Sequence, residues 1–191
     1  MTHKLCIFAS GTGSNAQKII DYFKDRDDVI VDLIVTNKSN AGVLHIAKNE
    51  NVDHKILLKD ELKSNSFIQF LQDRQTTLII LAGFLKLIPE ALTKAFPQRI
   101  INIHPALLPK YGGKGMYGKH VHQAVKDNGE KQSGITIHYV NEHYDEGEHI
   151  FQASFDVFEE DTPEDIARKG LVLEHGYFSL VIDGLLKRPT Q

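Results

Sequence analysis

Two polar side chains stand at the end of an apolar segment that runs from Ile100 to His104. Asn102 and His104 are separated by one residue, so on a β-strand both side chains project to the same face. Pro105 follows and cannot donate to a strand ladder, which predicts that the strand ends there. In an open parallel sheet, ligands bind beyond the carboxyl ends of the strands. This position makes the amide and the imidazole candidates for catalysis; the alternative is a histidine that only caps a strand end.

A carboxylate lies in a loop after a later predicted strand. Asp145 follows the segment Gly134–Val140, in which Thr136 and His138 share one strand face. Carboxylates in such loops are usually solvated or stabilise a turn. If Asp145 folds back onto His104, it would orient the ring and stabilise the imidazolium, which is the pairing that acid–base catalysis needs.

A glycine-rich turn follows the first apolar segment and leads directly into a predicted helix. In Ser10–Ala16, Gly11 and Gly13 allow a tight turn, and the free amides at the helix start favour an anion. The spacing also matches a variant of the dinucleotide fingerprint, but that site needs an acidic residue at the end of the second strand. Asp32 lies in the middle of that strand instead. The turn therefore favours a monophosphate over NAD; the alternative is a turn that binds nothing.

The histidine spacing does not predict a metal centre. His120 and His122 are two residues apart on a predicted helix, so they do not face each other, and no cysteine or third ligand has a suitable spacing. Cys6, the single cysteine, excludes an intramolecular disulfide and lies in an apolar segment, which is typical of a buried structural thiol. We predict no metal.

Length and charge narrow the class of protein. The chain has 191 residues, which suits one sizeable core and a single domain, residues 1–191. Its net charge of −3 gives no general attraction to nucleic acid or anionic lipid. The early apolar segment is too short for a signal peptide, and no segment approaches the roughly 20 apolar residues of a membrane span. We expect a soluble, cytoplasmic protein without nucleic-acid or membrane partners.

Short β-rich segments alternate with amphipathic ones, which predicts right-handed βαβ units. The predicted strands are 5–9, 29–35, 55–58, 78–82 and 100–103, followed by 134–140 and 149–157 with alternating polarity. The predicted helices are 15–24, 41–49, 61–75, 89–96, 120–126 and one that begins after Asp161-Thr162-Pro163. The predicted fold is α/β: a doubly wound, Rossmann-like, mostly parallel sheet with an antiparallel C-terminal portion.

Taken together, these motifs resemble the phosphoribosylglycinamide formyltransferase family, the folate-dependent enzymes of purine synthesis. The segments that carry the resemblance are Ser10–Asn15, Leu81–Phe84, Asn102–Pro109, Gly134-x-Thr136-x-His138 and Asp145-x-Gly147. They span nearly the whole chain, so the resemblance implies a single formyltransferase domain with the formyltransferase fold.

The resemblance implies a reaction and its catalytic residues. A formyl group would pass from 10-formyltetrahydrofolate to the amino group of 5-phosphoribosylglycinamide by direct attack of the amine, without a protein nucleophile or a metal. Asn102 would donate to the oxyanion. His104, with its pKa raised by Asp145, would stabilise the same oxyanion and transfer a proton.

The resemblance also implies which residues bind the two small-molecule substrates. Gly13, Ser14 and Asn15 would hold the phosphate, and Glu174 would contact the ribose. The folate would contact Leu85, Lys86, Leu87, Ile88, Asn102, Asn141 and Tyr144. Many family members have Met or Tyr and then Arg where this chain has Leu85-Lys86. The segment Gly112–Lys119 is longer than the common version and is either a mobile lid or an insertion.

Two other functions remain open at this point. A 10-formyltetrahydrofolate hydrolase uses the same Asn, His and Asp to activate water, but it usually carries an N-terminal regulatory domain, for which we expect no room here. A non-enzymatic nucleotide-binding module would explain the glycine turn but not the polar residues at 102, 104 and 145. The pattern fits a monomer or a homodimer.

Overall fold

The computed structural model describes residues 2–188. The chain divides into two compact units, the first ending at Asn102 and the second beginning at Ile103. The division falls within one strand, so Asn102 and His104 belong to different units.

A parallel sheet forms the centre of the first unit. Its strands are β1 (His3–Phe8), β2 (Val29–Thr36), β3 (Asp53–Ile56), β4 (Leu78–Leu81) and β5 (Ile100–His104), of which the last ends in the second unit. Neighbouring strands pair in parallel in the order β3-β2-β1-β4-β5. The strand order reverses direction at β1, which is the switch point where doubly wound sheets bind ligands.

Four helices connect the strands of the first unit: α1 (Ser14–Phe23), α2 (Val43–Asn49), α3 (Asn65–Asp73) and α4 (Glu90–Ala95). The residues of β4 and the last four of β1 are buried, as expected for strands covered on both faces. Cys6 lies in this core, and burial raises the pKa of its thiol well above the usual value. The predicted buried structural thiol is confirmed.

The single helix predicted over residues 61–75 is wrong. A 3-10 turn, Glu61–Lys63, is separated from α3 by Ser64, whose backbone is extended. The Ser64 hydroxyl accepts a hydrogen bond from the Phe67 amide at 3.1 Å and so caps α3. Serine favours such caps over helix interiors because its side chain competes for backbone groups.

The second unit contains an antiparallel strand pair and two helices. These are β6 (Gln132–Tyr139), β7 (His149–Asp156), α5 (Lys119–Asp127) and α6 (Pro163–Leu186). The predicted start of α6 is confirmed: Thr162 and Asp165 form a capping box, with Pro163 in the first turn. A small core of Val125, Val157 and Ile166 is partly covered by Tyr111 and Phe155.

The predicted fold class is confirmed: a doubly wound, mostly parallel α/β arrangement with an antiparallel C-terminal portion. Most predicted strand boundaries differ from the observed ones by one or two residues, as expected from patterns that fade at element ends. Within residues 2–188, none of the helices combines the length and apolar character needed to cross a membrane.

Candidate active site

The end of β5 presents Asn102 and His104 in one extended strand. Their side chains project to the same side because they are two residues apart. Asn102 is half-buried, whereas His104 is buried with 3% of its surface exposed. A ring so deeply buried needs partners for its nitrogen atoms.

Two groups of the second unit face the nitrogen atoms of His104. Nε2 lies 2.8 Å from the backbone carbonyl of Tyr111, which can only accept, so Nε2 carries the proton of this hydrogen bond. Nδ1 lies 3.5 Å from Oδ2 of Asp145, so the loop carboxylate does fold back to the imidazole. This separation is longer than a good hydrogen bond, so Nδ1 can form a hydrogen bond with another group.

The Asp145 carboxylate lies between two buried imidazoles. Its Oδ1 is 3.6 Å from Nε2 of His138, and its Oδ2 accepts a hydrogen bond from the Gly113 amide at 2.9 Å. Burial by itself would raise the pKa of Asp145, but its interactions with His138, His104 and Gly113 lower that pKa below the usual value. The group is therefore a carboxylate at neutral pH. The strand pattern predicts that His138 shares a face with Thr136, but it does not predict the contact of His138 with this carboxylate.

The net change in the pKa of His104 is opposite to the one expected from sequence. Burial lowers the pKa of His104 below its usual value and outweighs the Asp145 charge and the Tyr111 carbonyl, which both raise it. The expectation that Asp145 gives a raised pKa is therefore wrong in the net direction, although its own contribution has the expected sign. The ring is neutral at pH 7 and can accept a proton.

Thr136 fixes the segment that follows His104. Its buried hydroxyl donates to the Ala106 carbonyl at 2.7 Å and accepts from the Leu108 amide at 3.0 Å. Gln152 of β7 donates to the same hydroxyl at 2.8 Å and to the Leu108 carbonyl at 3.0 Å. Side-chain alternation predicts the strand face of Thr136 but not these hydrogen bonds, which join residues far apart in the chain.

The glycine turn of the first unit leads directly into α1. Gly13 has a left-handed backbone with φ of 85°, and an added Cβ would lie 2.7 Å from Cγ2 of Val43. Only glycine meets both conditions. The helix α1 starts at Ser14, and the first amides of any helix lack carbonyl partners within it. Asn15, the third predicted phosphate residue, is buried in this first turn.

Asp32 is committed to an ion pair. Its carboxylate accepts from Nε of Arg74 at 2.7 Å, and Arg74 also reaches Asp53 at 2.9 Å. At the end of β2, Asn37 accepts a hydrogen bond from the Ser10 hydroxyl at 2.5 Å. The acidic residue that a dinucleotide site requires at this strand end is replaced by an amide.

The predicted folate segment begins beside the same hydroxyl. The Leu85 amide donates to Oγ of Ser10 at 3.1 Å, which connects the glycine turn with Leu85. Leu85 and Leu87 keep 42% and 41% of their surface exposed, and Lys86 is also exposed. Ile88 is 2% exposed, so it supports this segment from the core.

The remaining predicted residues lie in the second unit. Asn141 accepts a hydrogen bond from the His143 amide at 3.0 Å and thereby shapes the loop before Asp145. Tyr144 in this loop is exposed. Glu174 is half-buried on α6. Their roles toward folate and ribose stay predictions. Among residues 2–188, no group of three or more His, Cys, Asp or Glu side chains is arranged to hold a metal ion.

Comparisons with known proteins show the family to which the chain belongs. The model of the formyl transferase family matches residues 3–182. A phosphoribosylglycinamide formyltransferase from Haemophilus influenzae is 32% identical over 94% of this chain and 85% of its own length. The chloroplastic phosphoribosylglycinamide formyltransferase of Arabidopsis thaliana is 41% identical over 95% of this chain, which spans 65% of that relative.

A solved structure of a named transformylase is also similar to this chain. Glycinamide ribonucleotide transformylase 1 from Geobacillus kaustophilus superimposes with a TM-score of 0.88 at 31% identity, covering 97% of this chain and 100% of the other. The chain therefore belongs to the phosphoribosylglycinamide formyltransferase family, whose named members are formyltransferases.

The opposed effects on His104 give a titration test. Because the Asp145 charge raises the pKa of His104, Asp145→Asn should move the titration midpoint of this ring to lower pH than in the wild type. The midpoint is measured by NMR of the imidazole signals. Glu142→Gln, which removes an exposed carboxylate in the same loop, should leave it unchanged. An unchanged or higher midpoint in Asp145→Asn would contradict this electrostatic account.

The turn geometry gives a binding test with a matched control. Gly13→Ala should weaken binding of inorganic phosphate at the start of α1, because the new Cβ meets Val43 and the backbone is left-handed. An added Cβ at Gly11 has nothing within 4 Å, so Gly11→Ala should bind phosphate as the wild type does. Amide chemical shifts of residues 13–15 report binding. Equal loss in both variants would place the anion elsewhere.

Proposed function

We propose that this protein transfers the formyl group of 10-formyltetrahydrofolate to the amino group of 5-phosphoribosylglycinamide. The observation that carries the proposal is the contact of Asp145, in the loop after β6, with the buried His104 at the end of β5, the strand that also carries Asn102. The names of the relatives support this reaction, since both sequence relatives are named phosphoribosylglycinamide formyltransferase. The family match over residues 3–182 supports treating residues 1–191 as one formyltransferase domain.

The substrate amine is the nucleophile in this reaction. Its nitrogen attacks the formyl carbon, and the carbonyl electron pair moves to oxygen to give a tetrahedral oxyanion. The Asn102 amide would donate to this oxygen, because it projects from β5 to the same side as His104. A fixed donor at an oxyanion typically lowers the barrier by roughly 3 kcal/mol.

His104 would carry a proton between two nitrogen atoms. The attacking nitrogen must lose a proton, and the folate nitrogen must gain one as its bond to the formyl carbon breaks. Nδ1 is the available atom, because the Nε2 proton is committed to the Tyr111 carbonyl. Asp145 stabilises the transient imidazolium. One C–N bond forms, one breaks, and the proton count is unchanged.

The other predicted residues would position the substrates. The phosphate would lie at Gly13–Asn15, with the ribose hydroxyls at Glu174. The folate would lie along Leu85–Ile88 and the loop residues Asn141 and Tyr144. Binding energy at the phosphate, distant from the reacting carbon, would hold the amine in line for attack. The partners are therefore small molecules.

Substitution of the catalytic residues tests the mechanism. His104→Ala, Asn102→Ala and Asp145→Ala should each lower kcat by about 100-fold or more, because they remove charge stabilisation or proton transfer. Thermal unfolding should show that each variant is folded. His45→Ala, at an exposed position on α2, should keep wild-type kinetics. A His104→Ala enzyme within about tenfold of wild-type kcat would remove this ring from the mechanism.

A second assay separates transfer from hydrolysis, which would use the same three side chains. With 10-formyltetrahydrofolate alone, folate release should be slow. Adding 5-phosphoribosylglycinamide should raise the rate by several orders of magnitude, with one formylated product for each folate released, because the phosphate anchor positions the amine. The dephosphorylated substrate should lose most of this gain. Equal folate release with and without the ribonucleotide would favour a hydrolase.

A further inference from the structure

Tyr111 has an unusual backbone conformation directly beside the reacting histidine. Its φ is 58°, in the left-handed region that bulky side chains rarely adopt. In this conformation its carbonyl oxygen accepts the hydrogen bond from Nε2 of His104 at 2.8 Å. Strained residues persist only where surrounding contacts hold them, and they concentrate at functional sites.

The Tyr111 side chain supplies those contacts. Its hydroxyl donates to Oε1 of Glu130 at 2.9 Å, and its ring packs on the cluster of Val125, Val157 and Ile166. Glu130 is held in turn by Lys110, whose Nζ donates to the same oxygen at 2.8 Å. Burial, together with the hydrogen bond to Glu130, raises the pKa of the phenol to about 12, so it remains a donor at neutral pH. The side chain thus anchors residue 111 through contacts that do not involve His104.

The next two residues continue the contact with the catalytic pair. A Cβ added at Gly112 would lie 2.6 Å from Cδ2 of Leu108 and 3.2 Å from Cβ of Asp145, so the backbone passes close to the carboxylate. The Gly113 amide then donates to Oδ2 of Asp145. Tyr111 therefore holds His104 by its Nε2, and Gly113 holds Asp145 by its Oδ2.

We propose that the hydrogen bond between the Tyr111 phenol and Glu130 is a positioning device for His104. It holds the Tyr111 carbonyl against Nε2, so the neutral ring keeps its proton on Nε2 and its lone pair on Nδ1, facing Asp145. Without the phenol, the backbone of residue 111 relaxes toward negative φ and its carbonyl turns away from the ring. In a fraction of the molecules the proton then lies on Nδ1 of His104. In that fraction Nδ1 cannot accept a proton from the substrate. The inference rests on the proposed function for its effect on rate.

Two conservative variants test the proposal by spectroscopy and by kinetics. In Tyr111→Phe, which removes the donor, and Glu130→Met, which removes the acceptor at similar size, ¹⁵N NMR of the His104 ring at neutral pH should show loss of the dominant Nε2–H tautomer. The kcat for formyl transfer should fall about tenfold while KM for each substrate changes less than about twofold, because misplacement of a catalytic group affects the transition state most. Lys110→Met is the matched control: it removes a partner of Glu130 but leaves the phenol bond, and it should keep the wild-type tautomer.

Each result decides the proposal. If both variants retain the wild-type tautomer, the proposal is overturned, and a lower Tm alone would show that the phenol bond only stabilises the fold. If the wild type transfers no formyl group, the proposed function fails, but the tautomer measurement still decides whether Tyr111 positions His104. A tautomer shift in Lys110→Met as large as in Tyr111→Phe would assign the effect to the Glu130 charge instead.

Discussion

The arrangement around the candidate site depends on keeping one carboxylate ionised in a largely buried position. An uncompensated buried charge is so costly that the group would otherwise take up a proton. Asp145 avoids this through the hydrogen bond from the Gly113 amide, its contact with His138 and its coupling to His104, whose protonated form it stabilises. His104 lies at the end of β5, His138 near the end of β6 and Gly113 in the segment after Pro109. All three elements must therefore lie close to the Asp145 carboxylate for it to stay ionised.

Sequence patterns predicted those features of the fold and the site that depend on residues close together in the chain. The positions of Asn102 and His104 on one strand face, the capping box at Thr162 and the buried thiol follow from side-chain alternation, capping chemistry and apolar context. The predicted helix over residues 61–75 failed because apolar spacing continued through Ser64, whose hydroxyl instead ends one element and starts another. The spacing of apolar residues carries no information about such a side-chain hydrogen bond to the backbone.

Properties that result from a balance of opposed effects could not be predicted in the same way. The neighbour of His104 was anticipated, but the net direction of its pKa depends on how deeply the ring is buried, which only tertiary packing decides. Tyr111 is a similar case, since nothing in its type indicates a left-handed backbone. The contacts of Thr136 and Gln152 with Leu108 also join distant parts of the chain, so no local signal marks them.

The hydrogen bond between Ser10 and Asn37 at the end of β2 limits which ligands the glycine turn can bind. A turn of this spacing would gain affinity for adenine dinucleotides, which are abundant in cells, if a carboxylate were placed to meet ribose hydroxyls. Here that strand end carries Asn37, whose side chain accepts a hydrogen bond from Ser10 of the turn, while the only carboxylate of β2, Asp32, lies in mid-strand and pairs with Arg74. Selection that preserves the contact between Asn37 and Ser10 for the sake of the fold therefore also disfavours a common metabolite, without any group dedicated to repelling it.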